Sequence, residues 1–129
     1  MTTNGNDRAG VKRTSGTPDI EAFLKSEYQA SWLEDAKMDV YVRKGRHALV
    51  GRQIICTFDI ANIAVFDGSR GQGVFSGWLE YVEFVVQKAG YNYIYVENIL
   101  EDRLTGFLTR KGYEHRPGVD TCLYRKLGD

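Results

Sequence analysis

The stretch Asp67-Gly68-Ser69-Arg70-Gly71-Gln72-Gly73 stands between a strand-like run and a helical run, and it is the part of the chain best suited to hold a charged ligand. A glycine-rich turn from strand to helix gathers backbone N–H groups at the helix N-terminus, and neither Gly71 nor Gly73 has a side chain to keep a ligand away. Free N–H groups and the helix dipole together favour an anion there, a phosphate above all. The turn has neither the GK[ST] of a Walker loop nor the GxGxxG of a dinucleotide site, and a turn that serves packing alone is the plainer reading. Asp59 is the second residue of interest, because it interrupts the apolar run QIICTFDIANIAVF (53–66). It either faces solvent on an alternating strand or is buried, where a carboxylate suits the work of a base. His47, His115, Cys56 and Cys122 have no partner at recognisable spacing. No metal is expected, the histidines read as surface residues, and the cysteines read as core.

The elements that must position these residues follow from periodicity. Thr17-Pro18-Asp19 opens a helix whose apolar face is Ile20, Phe23, Leu24, Tyr28 and Trp32. Strands are expected at 38–42 and 53–66, with Gly45 and Gly51 both open as the turn or bulge between them. The glycine turn leads into a helix with Phe75, Trp78, Leu79, Val82, Val86 and Ala89 on one stripe, ended by Gly90. A buried strand at 91–97 follows. Asn98, with Glu101 three residues on, reads as a capping box for a helix carrying Leu104, Phe107 and Leu108 and stopping at Gly112. Strands around 113–115 and 122–127 flank a Pro117-Gly118 turn. This order predicts an α/β fold, a mixed sheet with helices on both faces and one right-handed parallel crossover.

The string Ile63-Ala64-Val65, four residues, then Arg70-Gly71-Gln72-Gly73-Val74-Phe75 ahead of an amphipathic helix resembles the central motif of the GNAT N-acetyltransferase superfamily, [Q/R]-x-x-G-x-[G/A]. Arg70 and Gly73 match its first two fixed positions, and Phe75 stands at the third. The strand YIYVEN and the helix ending Lys111-Gly112-Tyr113 are similar to the family as well, so the resemblance spans residues 38–127. It implies a sheet splayed between strands at about 55–66 and 91–97, with acetyl-coenzyme A in the gap. The cofactor's diphosphate would lie on the N–H groups of the turn from Arg70, Gly71 and Gln72 to Gly73, Val74 and Phe75. Its pantetheine arm would pair with Ile63 and Val65 on either side of Ala64, and Asn98 would contact it. The implied activity is direct transfer of an acetyl group to a primary amine of a small molecule or a protein. Such an amine must first lose a proton, at a cost of roughly 4–5 kcal/mol at pH 7. Asp59 is the first candidate for the base and Glu97 the second, and a strand N–H near Val65 would steady the oxyanion. Many members place an acidic tyrosine where this chain has Leu108. A GNAT-fold binding module of weak or no activity, acting on a partner protein, is the alternative.

Composition bounds the rest. With 129 residues the chain suits one domain, read as 19–129 after a flexible tail, 1–18. Lys plus Arg and Asp plus Glu both number 17, so bulk charge gives nucleic acid no hold. No apolar run approaches the roughly 18–20 residues that cross a bilayer, and the first residues have no apolar stretch of a signal peptide, so the expected setting is the cytoplasm. Arg43, Lys44, Arg46 and Arg52 flank the first hairpin, either as a solvated surface or as a docking patch for an acidic partner. A second copy of the chain is also open as a partner.

Overall fold

An antiparallel meander makes up half of the sheet. β1 (Ala30–Glu34), β2 (Met38–Val50) and β3 (Gln53–Val65) pair in sequence, β2 turning into β3 at Gly51-Arg52. β4 (Tyr93–Val96) joins β3 in parallel, and β6 (Val119–Lys126) and β5 (Glu114–Arg116) complete the order β1-β2-β3-β4-β6-β5. The computed structural model describes residues 11–69 and 73–128.

Strand alternation sorts side chains onto two faces. On one face Val40, Val42, Phe58, Ile60, Ile94, Val96 and Leu123 form the main core. The three α-helices among the described residues contribute to it: α1 (Glu21–Lys25) through Phe23, α2 (Val74–Lys88) through Trp78, Leu79, Val82 and Val86, and α3 (Asp102–Arg110) through Leu108. The mixed α/β sheet is as expected. The helices, expected on both faces, differ in one respect: among the described residues their buried side chains all join this one core. For α2 and α3 the reason is topological, because right-handed crossovers that step the same way across a sheet lay their helices on one side, and the segment before α1 is tied to α2 by Trp78 and Tyr81. The opposite face carries a smaller cluster, Leu49, Tyr95 and Cys122.

Four local expectations are corrected. α1 stops at Lys25, since Ser26 is extended and its hydroxyl binds Phe23 O; Trp32 therefore lies on β1 against Tyr41, and Tyr28 is exposed. Thr17 is not the cap of α1, which starts three residues later than expected; Asp19 Oδ1 accepts Glu21 N–H at the start of the helix at 2.8 Å and also the Tyr81 hydroxyl at 2.9 Å, while Pro18 O accepts Trp78 Nε1–H at 2.8 Å, so the segment ties α1 to α2. Of the segment expected as a tail, residues 1–10 lie outside the described residues, whereas Thr17 and Pro18 are buried. Cys56 and Ala89 are exposed rather than core.

Several tyrosines are buried with their hydroxyls committed. Tyr113 donates to Glu83 Oε2 at 2.7 Å, and burial, then Glu83, pushes its phenol well up. Burial, then Cys122, pushes Tyr95 up to about 12. A folded-state value above the unfolded one, about 10, stabilises the fold fully below that pH. The contribution is lost as pH rises through the folded value. Urea midpoints should therefore hold steady to about pH 10 and fall toward pH 12, with a smaller fall in Tyr95→Phe; a midpoint independent of alkaline pH would contradict the burial of these phenols.

Candidate active site

β3 and β4 pair for three residues, Phe58 with Ile94, Asp59 with Tyr95 and Ile60 with Val96, and Glu97 N–H then donates to Ile60 O at 2.9 Å. Beyond that bond the strands part. The register with β2 shifts between Tyr41 and Val42, leaving Ala61 as the extra residue of a bulge, and a bulge bends its strand. β4 ends at Val96, and Asn98 takes φ +60°. The Asn98 side chain donates to Ala61 O at 2.9 Å across the fork. The fork opens into a cleft of about 1090 Å³, whose walls include Ile63, Val65, Gly73, Phe75, Glu97 and Asn98. A second hollow of about 1100 Å³ lies between residues 11–15, α1 and the C-terminal part of α2, and no strand residue is among those that line it.

The cleft is bounded on one side by the start of α2. Gly73 precedes this helix with φ +69°, a left-handed conformation that glycine adopts without strain. The cap residue is a glycine with no side chain to bond the helix's first N–H groups, and the first turn has no acidic residue, a helix start that suits an anion. Val74 is buried, and Phe75 packs edge-to-face on Phe107 at 6.0 Å, which brings α2 and α3 together at the cleft wall. Ile63 and Val65 are half-buried against the core, and Ala64 is exposed. Arg70, Gly71 and Gln72 lie outside the described residues. Asn98 does not cap a helix: α3 begins at Asp102, because Asn98 is spent on Ala61 and Ile99 N–H donates to Thr121 O at 3.0 Å, holding 98–100 beside β6.

The other side of the fork holds charge. Asp59 is fully buried, on the face opposite the main core. Its Oδ2 accepts Arg43 Nε at 3.0 Å and Nη2 at 2.9 Å and lies 2.9 Å from His47 Nε2, while Thr57 Oγ1 donates to Oδ1 at 2.5 Å. Arg43 Nη2 also reaches Glu97 Oε2 at 2.5 Å. Burial works against the Arg43 charge, but the hydrogen bonds to Glu97 and Asp59 more than offset it and raise the guanidinium above its ordinary value. Of the two carboxylates expected as bases, then, Glu97 lines the cleft and Asp59 sits behind it, bonded to three side chains.

Sequence reading missed Arg43 and His47 as members of this site. His47, read as a surface residue, stacks on Tyr95 at 3.9 Å between ring centroids. The basic cluster on the hairpin is not one patch, since Arg43 binds Asp59 on one face while Lys44 Nζ binds Ser26 O and lies over the Phe23 ring on the other. The signal was there: Arg43 and His47, four apart on a strand, share a face. Donor atoms of His47, Asp59 and Glu97 lie within 4.8 Å of one another, a set of metal-ligand types, but Arg43 Nη2 bonds both carboxylates and supplies the positive charge. Leu108 is fully buried in the main core, so the position where the sequence resemblance implies a tyrosine holds packing and no hydroxyl.

Gly45 leaves room for this network. A Cβ there would land on the Asp59 carboxylate. Gly45→Ala should therefore lower stability by about 1–3 kcal/mol in urea unfolding, and a neutral substitution would mean that Asp59 does not lie over this residue.

Comparison with known proteins places the fold. No family model matches the chain, and no curated protein does either. Solved structures do. The KacTA–DNA complex matches with TM-score 0.61 and 18% identity, over 91% of this chain and 86% of that one. A tyrosine-to-phenylalanine mutant of the AtaT toxin, bound to the C-terminus of the antitoxin AtaR and to acetyl-CoA, matches with TM-score 0.61 and 14% identity, over 90% and 87%. A tyrosine-to-phenylalanine mutant of KacT matches with TM-score 0.58 and 17% identity, over 93% and 90%. At such identities the likeness is one of fold, and the fold is GNAT-like.

Proposed function

We propose that this chain is an acetyl-coenzyme A-dependent N-acetyltransferase, moving an acetyl group directly to a primary amine of a small molecule or a protein. The observation that carries the reading is the fork: parted central strands that open on a cleft beside a helix N-terminus whose cap residue is glycine. A structure of the same fold holds acetyl-CoA. In the proposed site the N–H groups at Gly73, Val74 and Phe75 bind the diphosphate, together with Arg70, Gly71 and Gln72 of the same turn. The edge of β3 at Ile63, Ala64 and Val65 lies along the arm, and Asn98 braces the fork. Acetyl-coenzyme A supplies the activated thioester.

Glu97 does the proton work in this reading. It is half-buried at the end of β4, bonded to Arg43 behind and facing the cleft in front. It takes the proton that the amine must lose and hands it to the departing thiolate sulfur, so no tyrosine at the place of Leu108 is required. Asp59 anchors Arg43 and His47. The cytoplasm is the proposed setting; no helix among the described residues is long and apolar enough to cross a membrane. AtaT is solved with an antitoxin segment, and a protein partner is part of the proposal here. The buried Leu108 favours one other reading, a GNAT-fold module that binds coenzyme A or a partner without turnover.

Acetyl-coenzyme A should bind by calorimetry, and Gly73→Val should weaken it about tenfold or more, since a β-branched residue is strained at positive φ. Free-thiol release with a panel of polyamines and lysine peptides should fall about 10²–10⁴-fold in Glu97→Gln with cofactor affinity little changed. Binding without thiol release across the panel would establish the binding-module reading; absence of binding would end both.

A further inference from the structure

Resting on the reading of Glu97 as proton acceptor, we propose that Arg43 is the positioning residue of the site: its guanidinium, clamped on the buried Asp59, holds the Glu97 carboxylate at the mouth of the fork. Arg43 faces Asp59 directly across the β2–β3 ladder. One nitrogen, Nη2, joins two carboxylates, 2.9 Å from Asp59 Oδ2 and 2.5 Å from Glu97 Oε2. Of these, the Asp59 side chain is fully buried and the Glu97 side chain is 22% exposed. The Asp59 end is fixed. Thr57 holds Oδ1, His47 lies against Oδ2, and His47 is itself stacked on Tyr95. The Glu97 end is not fixed by its own strand, because β4 has ended and the left-handed Asn98 follows.

A carboxylate in that place has a choice of rotamers into the cleft, and a proton acceptor misplaced by about 1 Å loses about 10²-fold in rate. The groups facing Glu97 are Arg43 and His47 from β2, Asp59 from β3, and Arg116 from β5, whose Nη1 donates to the Tyr95 hydroxyl at 2.9 Å. Glu101, Asp102 and Arg103 share the cleft wall. Among the described residues, Arg43 is the one that bonds the Glu97 carboxylate. The planar guanidinium fixes direction as well as charge, which an ammonium does not.

The test uses the full chain and the best acceptor from the amine panel. Arg43→Met should lower kcat about 10²-fold with the KM for acetyl-coenzyme A little changed, and Arg43→Lys should recover part of it. Added to Glu97→Gln, Arg43→Met should cost almost nothing more, because the two act as a unit. A folded Arg43→Met with wild-type kcat, or losses that multiply in the double variant, would overturn the proposal. If Arg43→Met fails to fold because Asp59 is left buried without its cation, Arg43→Met/Asp59→Asn is measured in its place with the same outcomes expected. A readout that needs no turnover separates this proposal from the reading it rests on: the ¹³C signal of the Glu97 carboxyl, assigned by its loss in Glu97→Gln. One narrow line in the wild type and a broadened one in Arg43→Met supports the clamp; identical lines refute it. Lack of thiol release by the wild type instead counts against Glu97 as acceptor and leaves the carboxyl signal to decide what Arg43 does.

Discussion

Every feature of the cleft follows from the parting of β3 and β4 after Ile60. Backbone N–H and C=O groups inside a sheet must be paired, so two central strands separate only where something else satisfies them. Here the separation is prepared by one extra residue, Ala61. Before the bulge, Phe58 and Ile60 point into the main core; after it, Ile63 and Val65 pack there. Without the extra residue, alternation would turn Asn62 and Ala64 inward and send Ile63 and Val65 to the other face. The bulge thus bends the strand and keeps its apolar side chains in place. Asn98 Nδ2 takes up one carbonyl at the fork, and a ligand rich in amide groups is suited to what lies beyond.

A second bulge in the same hairpin shapes the opposite face. The register slips between Ala48 and Val50, and Leu49 packs with Tyr95 and Cys122. The far end of the hairpin is thereby tied over β4, and His47, two residues before Leu49, lies between Asp59 and Tyr95. Burying an ion pair gains little over apolar packing, but removing one member of it costs about 3–5 kcal/mol. The Arg43–Asp59 pair is therefore poor glue and a strong specifier: it fits one register of β2 on β3 and tolerates no Cβ at Gly45.

These bulges also mark where the sequence ceased to be readable. The strands, the glycine turn, α2 and the C-terminal hairpin follow from period and turn chemistry, because each is decided within about ten residues of chain. The charge network is decided across the hairpin. A strict two-residue turn at Gly51-Arg52 would set Asp59 opposite Lys44, and the slip at Leu49 sets it opposite Arg43 instead. No local pattern announces a one-residue slip, so Arg43 read as one of four hairpin cations. The N-terminal helix failed for a related reason. Ile20, Phe23 and Leu24 have helical spacing, but Leu33 pairs with Val40 on the core face of β1 and Trp32 with Tyr41 on the other, a choice made by the sheet. Asn98 read as a cap since its three-residue spacing to Glu101 is right; the fork it serves is formed by residues nearly forty positions earlier.

The packing of Leu108 constrains the chemistry that the fork can perform. This side chain is wholly buried between α3 and the sheet, so α3 offers the cleft no hydroxyl at this position. If acetyl transfer takes place here, a proton must leave the amine and a proton must reach the sulfur, and one group has to meet both. A single carboxylate can do so only if it reaches the cleft from the gap between the strands and is kept from swinging away. Glu97 meets the first condition by its position, as the residue whose N–H makes the last bond before the strands part. It meets the second through a cation rooted on a different strand. In the proposed reading such a site trades a division between acid and base for rigidity, and the rigidity comes from the two-carboxylate grip of one guanidinium rather than from the helix that the motif draws attention to.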